Sequence, residues 1–222
     1  MKGVSTNRSL FEDPTAPSPE REILGDGAVL LRGFALDRAA TLMKEIERVA
    51  ARAPFRHMTT PGGFRMSVAM TNCGNLGWVT DRTGYRYDAT DPDATAAWPL
   101  MPETFLELGR SAANAGGYPR FEPDACLINR YVPGSSLSLH QDRNEHDFRA
   151  PIVSLSLGLP ATFLFGGMKR TDRPKRIPIF HGDVAVWGGP TRLAFHGIAK
   201  LKDGVHPLTG ACRFNLTLRK AG

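Results

Sequence analysis

His140-Gln141-Asp142 sets an imidazole and a carboxylate at positions i and i+2. In a strand those two side chains point the same way and converge on one spot. A histidine delivered from a distant strand would add a second nitrogen on the same face of a metal. Two nitrogens and one oxygen so arranged suit non-haem Fe(II), because positions stay open for a co-substrate and dioxygen. His196 is the natural third ligand. Such triplets also arise by chance, and His181-Gly182-Asp183 is a second one in the same chain. The second lies at a hairpin turn, where Gly-Asp is turn chemistry, whereas the first ends a strand and enters a polar loop. The first is the one expected to carry the metal.

Arg213, Asn215, Thr217 and Arg219 alternate with Phe214, Leu216 and Leu218. Two readings of that strand stand side by side. In a half-buried sheet the polar set faces water and nothing follows. Inside a barrel the same set lines a cavity, and two guanidiniums there would grip the two ends of a dicarboxylate. Asn129 and Tyr131, again at i and i+2, would add hydrogen-bonding groups from another strand. A metal beside a dicarboxylate is what an iron enzyme consuming 2-oxoglutarate requires.

These side chains need a scaffold of short strands. From Phe121 onward, Leu127–Tyr131, Leu137–His140, Ile152–Leu159, Thr162–Phe165, Arg176–Phe180, Asp183–Trp187, Leu193–Ile198 and Arg213–Arg219 read as strands between Pro-Gly, Gly-Gly and Gly-Asp signals. That density predicts a double-sheet jelly roll within an α+β fold. Two helices are expected to pack on one sheet. One runs from Arg38 to about Arg52, capped by Asp37; the other runs from Pro102 to Ala115 and is stopped by Gly116-Gly117. Ala28–Arg32 reads as a strand. Residues 62–87, rich in glycine and aromatics, read as short strands and exposed turns of an N-terminal elaboration over the other face. Residues 1–20, with Pro14, Pro17 and Pro19, read as a tail.

At 222 residues, 41% hydrophobic and 23% charged, the composition is that of a soluble domain. No apolar run approaches a membrane span, and the first residues lack a signal-peptide pattern. Three cysteines without metal-type spacing argue against a disulfide scaffold, so a cytoplasmic location is expected. The formal charge of +6 accommodates a polyanionic partner without requiring one. No spare amphipathic element is visible, so a monomer is expected.

Longer strings narrow the choice. Cys126-Leu-Ile-Asn-Arg-Tyr131, Leu139-His-Gln-Asp142, Pro151-Ile-Val-Ser-Leu-Ser-Leu-Gly-Leu-Pro160, Val186-Trp-Gly-Gly189, His196-Gly-Ile198 and Arg213-Phe-Asn-Leu-Thr-Leu-Arg219 resemble the AlkB family of iron- and 2-oxoglutarate-dependent dealkylation dioxygenases. So do Thr60-Pro-Gly-Gly63, Met66–Gly74 and Leu76-Gly-Trp78, and the likeness runs from about Gly27 to the C-terminus. It implies a double-stranded β-helix core over about 121–222, a nucleotide-recognition lid over about 55–90, and one domain spanning 21–222. It also implies that His140, Asp142 and His196 bind Fe(II). Arg213 would pair with the far carboxylate of 2-oxoglutarate, helped by Tyr131 and Asn215, while Arg219 and Asn129 would hold the chelating end.

The implied reaction is oxidative demethylation of bases such as 1-methyladenine and 3-methylcytosine in single- or double-stranded DNA, with RNA left open as a further substrate. 2-Oxoglutarate and O2 are consumed, and succinate, CO2 and formaldehyde are released, which amounts to direct-reversal repair. Trp78 matches the residue that stacks on the extruded base, and Tyr85, Arg86, Tyr87 and Arg170 match substrate contacts. For Trp78 alone, a buried core tryptophan is the plainer reading. Asn144 stands where the family has an aspartate near the base, so it lacks a charge that would favour cationic lesions. Two rivals remain: an oxygenase of the same type acting on a protein or small molecule, and a non-catalytic β-sandwich that binds nucleic acid.

Overall fold

Short strands and two helices make up the regular structure of the chain. The computed structural model describes residues 20–222, so the tail expected over 1–20 falls, but for its last residue, outside the described residues. Strands β1 (Arg21–Gly25) and β2 (Ala28–Leu31) form a hairpin ahead of helix α1 (Ala39–Arg52). Then come β3 (Ala69–Gly74), β4 (Gly77–Asp81), β5 (Gly84–Asp88), β6 (Thr90–Asp91), β7 (Ala96–Ala97) and helix α2 (Glu103–Ala115). The remainder is β8 (Ala125–Tyr131), β9 (Leu137–His140), β10 (Ile152–Gly158), β11 (Ala161–Phe165), β12 (Lys175–Ile179), β13 (Val184–Trp187), β14 (His196–Ile198) and β15 (Arg213–Arg219).

Among the described residues all strand pairing is antiparallel. One sheet of seven strands has the order β1-β2-β13-β10-β15-β8-β3, and a second of four has the order β12-β11-β14-β9. Hairpin β4–β5 stands apart from both. The helices cover one face of the large sheet. Leu42, Ile46, Phe105 and Leu108 meet Val153, Leu155, Leu216 and Leu218 there. The other face looks at the small sheet, where Leu30, Met70, Tyr131 and Trp187 pack with Phe163, Ile177 and Ile198. The alternation in β15 now has a unique meaning. Its leucines point at the helices, and Arg213, Asn215, Thr217 and Arg219 point between the sheets, all buried. The solvent-facing reading of that strand is therefore excluded.

Three expectations need correction. Asp37 does not cap α1: Arg38 holds that position without a side-chain cap bond. Successive tight-turn bonds, Leu36 N to Gly33 O, Arg38 N to Ala35 O and Ala39 N to Leu36 O, bring the chain in and satisfy those donors. The strand expected over Leu193–Ile198 is only β14, because a 3-10 turn at Gly189–Thr191 precedes it and Ala194 N still bonds back to Thr191 O. Within 62–87, β3 is an edge strand of the large sheet with all six residues buried. Gly74, with φ 114°, ends it where a Cβ would collide with the Asp124 carbonyl. Strands β1 and β2 extend the large sheet beyond β13. Among the described residues no helix is long and apolar enough to cross a membrane.

Candidate active site

The metal-type triplet is assembled by sheet register. His140 closes β9, His196 opens β14, and the two are direct partners across that ladder. Their ring centroids lie 4.4 Å apart. Asp142, just past β9, brings Oδ1 to 3.7 Å from His140 Nε2 and Oδ2 to 3.5 Å from His196 Nε2. One donor atom from each residue fits within 4.8 Å of the others, and no other His/Cys/Asp/Glu set does so among the described residues. Each ring is held from behind: the Nδ1 atoms lie 2.8 Å from Ser138 O and 3.0 Å from Ala194 O. A carbonyl there needs an Nδ1–H donor, which leaves both Nε2 lone pairs aimed at the centre.

The charges suit a cation. Burial, aided by nearby His196, pushes the His140 imidazole down to about 4, so it is neutral near pH 7. Burial would raise the Asp142 carboxyl, but Arg219 and the two imidazoles hold it well below the usual carboxylate range. Arg219 donates to Asp142 Oδ2 through Nη2 at 2.7 Å and Nε at 3.1 Å. Burial opposes its charge, yet Asp142, Tyr87 and Glu145 raise its pKa.

Beside the triplet, the neighbouring strands β8 and β15 of the large sheet pair Tyr131 with Arg213 and Asn129 with Asn215. Arg213 is 1% exposed. Its Nε donates to Ser156 Oγ at 2.9 Å, and its guanidinium carbon sits 4.8 Å from the Tyr131 ring centroid. Among the described residues its Nη1 finds no hydrogen-bond partner, and burial lowers its pKa. Asn129 donates to Asn215 Oδ1 at 3.1 Å, and its own Oδ1 is unpartnered among the described residues. Asn215 donates to Ser154 Oγ and Leu155 O, both at 2.8 Å. A dry guanidinium lacking a carboxylate, next to a two-histidine and carboxylate set, fits an anionic chelator of a divalent ion.

One cavity of about 480 Å³ contains all of this. Trp78, Tyr85, Asn144 and Arg170 line it together with both groups above; Arg86 and Tyr87 do not. Trp78 and Tyr85 stack at 5.8 Å with 23° between their planes. Asn144 bridges them, accepting from Trp78 Nε1 and donating to Tyr85 O, both at 3.4 Å. Arg170 lies over the Phe195 ring at 5.2 Å. Arg86 is instead paired with Asp81 at 2.9 Å and Asp88 at 3.5 Å. The Tyr87 hydroxyl is turned inward, donating to Glu145 at 2.7 Å and lying 3.3 Å from Arg219 Nη1.

The second triplet is architectural. Asp183 accepts from Gly33 N, Phe180 N and Arg32 Nη1 at 2.8–2.9 Å, and His181 Nδ1 accepts from Gly158 N at 3.0 Å. Sequence reasoning missed buried Asn72, Glu145 and Arg192. Asn72 embraces the Trp78 peptide with two 3.0 Å bonds and so fixes the β4–β5 hairpin beside the cavity. Glu145 and Arg192 sit where no periodicity marks them, in a loop and just after a turn.

The family model described as "2OG-Fe(II) oxygenase superfamily" matches residues 27–219. The chain is 60% identical over 213 residues to the alpha-ketoglutarate-dependent dioxygenase AlkB of Escherichia coli (strain K12), covering 96% of this chain and 97% of that protein. It is 33% identical over 143 residues to the tRNA demethylase abh1 of Schizosaccharomyces pombe, covering 61% of this chain and 46% of that protein. The solved structure of OsALKBH1 superposes with a TM-score of 0.80 at 29% identity, over 90% of this chain and all of that one.

Proposed function

The chain belongs to the 2OG-Fe(II) oxygenase superfamily, and from that premise we propose that it removes methyl groups from the ring nitrogens of nucleic-acid bases. It is an Fe(II)- and 2-oxoglutarate-dependent dioxygenase. When bound, the ferrous ion with 2-oxoglutarate and O2 supplies the oxidising chemistry: 2-oxoglutarate leaves as succinate and CO2, and the hydroxylated methyl group leaves as formaldehyde. The observation that carries the reading is a single cavity holding the His140-Asp142-His196 set, a buried guanidinium without an anion, and a pair of stacked aromatics. DNA is the first substrate on the strength of the AlkB likeness, and the tRNA demethylase relative supports RNA as a second.

In this reading His140, Asp142 and His196 hold the ion, and the two sheets form a double-stranded β-helix around it. Arg213, with Tyr131 and Asn215, binds the distal carboxylate, while Arg219 and Asn129 face the chelating end. Arg219 also fixes the orientation of the Asp142 carboxylate. The β4–β5 hairpin acts as a lid. Trp78 stacks on a base flipped out of the helix, since the methyl group lies on the Watson–Crick edge and is out of reach within a duplex. One such stack contributes about 1–3 kcal/mol and tolerates any base. Tyr85 and Arg170 contact the nucleotide. Arg86 and Tyr87, engaged with Asp81, Asp88, Glu145 and Arg219, act by bracing the lid.

The test is product formation. An oligonucleotide carrying 1-methyladenine should accelerate succinate release and yield formaldehyde in step with unmodified adenine, while the unmethylated strand should do neither. Succinate release indifferent to methylated DNA and RNA alike would reject the substrate class and leave an oxygenase of another kind.

Asn144 supplies a second prediction. A carboxylate at this position would add a charge near a cationic lesion, where an ion pair in a partly shielded site is worth about a few kcal/mol at most. Asn144→Asp should therefore raise the turnover ratio of 1-methyladenine to neutral 1-methylguanine by roughly tenfold, or about 1.4 kcal/mol. Equal ratios in parent and variant would show that charge at this position does not select lesions.

A further inference from the structure

We propose that Arg192 is a positioning residue for the metal site: it locks the main chain of Asp142 to the segment that delivers His196, so the ligands are in place before the ion binds. This rests on the reading that the His140-Asp142-His196 set takes a divalent metal. Arg192 is 3% exposed and stands directly after the Gly189–Thr191 turn, four residues ahead of His196. Its whole guanidinium is spent on the loop between β9 and β10, which has no regular secondary structure. Nη1 donates to Asp142 O at 2.8 Å, and Nε donates to Ala150 O at 2.9 Å. Nη2 lies 3.3 Å from Glu145 Oε2, and the guanidinium carbon lies 5.4 Å from the Phe148 ring centroid.

A loop without a ladder has no repeating bonds to fix its carbonyls. One planar fork here ties the start, middle and end of that loop to a single point. Gln141 adds a second tie between the same two segments, its Nε2 donating to Leu193 O at 2.6 Å. Residues 141 and 142 are thus stapled to 192 and 193. His140 and His196 need no such help, because sheet register already pairs them. Asp142 is the ligand that lies outside the ladder, and Arg192 does for it what register does for the histidines.

Charge gives Arg192 a second hold on the same carboxylate. Glu145 is buried 3.4 Å from Arg219 Nε, the atom that also bonds Asp142 Oδ2 at 3.1 Å. With Arg192 on its other oxygen, Glu145 has a counter-charge of its own. Without it, Glu145 would compete with Asp142 for Arg219. A lysine keeps one charge but offers a single ammonium in place of a three-way fork.

The full chain, free of 2-oxoglutarate, should be titrated with Mn(II), and its Co(II) form followed by visible absorption, for the parent, Arg192→Lys and Gln141→Ala. Arg192→Lys is expected to weaken Mn(II) binding roughly ten- to a hundredfold, the usual effect of losing an outer-shell partner, and to alter the Co(II) bands. Gln141→Ala should weaken it several-fold. If the parent takes Mn(II) and Arg192→Lys, still unfolding cooperatively, matches it within twofold with unchanged Co(II) bands, the positioning role is overturned and the metal reading stands. If the parent takes no Mn(II), both fall. If Arg192→Lys does not fold, Gln141→Ala decides: a several-fold loss supports the staple, and parental affinity overturns it.

Discussion

Asp142→Asn is expected to abolish succinate formation and to take Mn(II) affinity down well beyond the roughly 10–100-fold typical of an outer-shell substitution. The variant keeps the shape and one oxygen of the side chain but removes the anion that the two imidazoles cannot replace. It also strips Arg219 of the partner it holds at 2.7 and 3.1 Å. Breaking a buried pair typically costs about 3–5 kcal/mol, and Glu145, still near that guanidinium, should keep the loss at the low end. The pH dependence has a definite sign. Because the Asp142 carboxyl is held well below its ordinary value, the stability it contributes is present above about pH 4 and is lost as pH falls further. The Asn variant should therefore show a shallower acid-unfolding profile than the parent. An Asn variant that binds Mn(II) as the parent does would remove Asp142 from the site.

Arg213→Met is expected to raise the KM for 2-oxoglutarate by about a hundredfold or more, or about 2.7 kcal/mol. That lies within the roughly 2–5 kcal/mol lost when one member of a buried charge pair is truncated. Most of the effect should fall on KM, with kcat at saturating co-substrate changing less, because the distal carboxylate is bound alike in ground and transition states. Stability should move the other way. In the free protein Arg213 is a buried cation whose neighbours are Ser156 and an aromatic ring, with Nη1 unpartnered among the described residues. An apolar chain of similar length removes that desolvation cost, so the thermal midpoint without co-substrate should hold or rise. Each kcal/mol gained is worth about 2–4 °C at this size. A KM within threefold of the parent would show that the distal carboxylate lies elsewhere; a large drop in midpoint would show that Arg213 serves the fold.

The two largest effects were legible before folding because both rest on local periodicity. Arg213, Asn215 and Arg219 lie on one side of a strand wherever the strand goes, and the two-residue spacing of His140 and Asp142 marked the ligand pair although β9 stops at His140. Short strands between glycine turns likewise revealed the two-sheet class, and the helix periods revealed α1 and α2. Which side faced water was not legible. That was decided when Leu216 and Leu218 met the helices and the polar face of β15 was closed over by the small sheet. Register across ladders decided the rest: His140 opposite His196, Tyr131 opposite Arg213, Asn129 opposite Asn215. Such partners lie tens of residues apart, and no short-range pattern encodes the pairing. Glu145 and Arg192 were invisible for the same reason, since their partners lie tens of residues away, whereas Asn72 meets Trp78 only six residues on. All three are buried polar side chains, and burial, which gives such a contact its strength, exists only once the chain has closed.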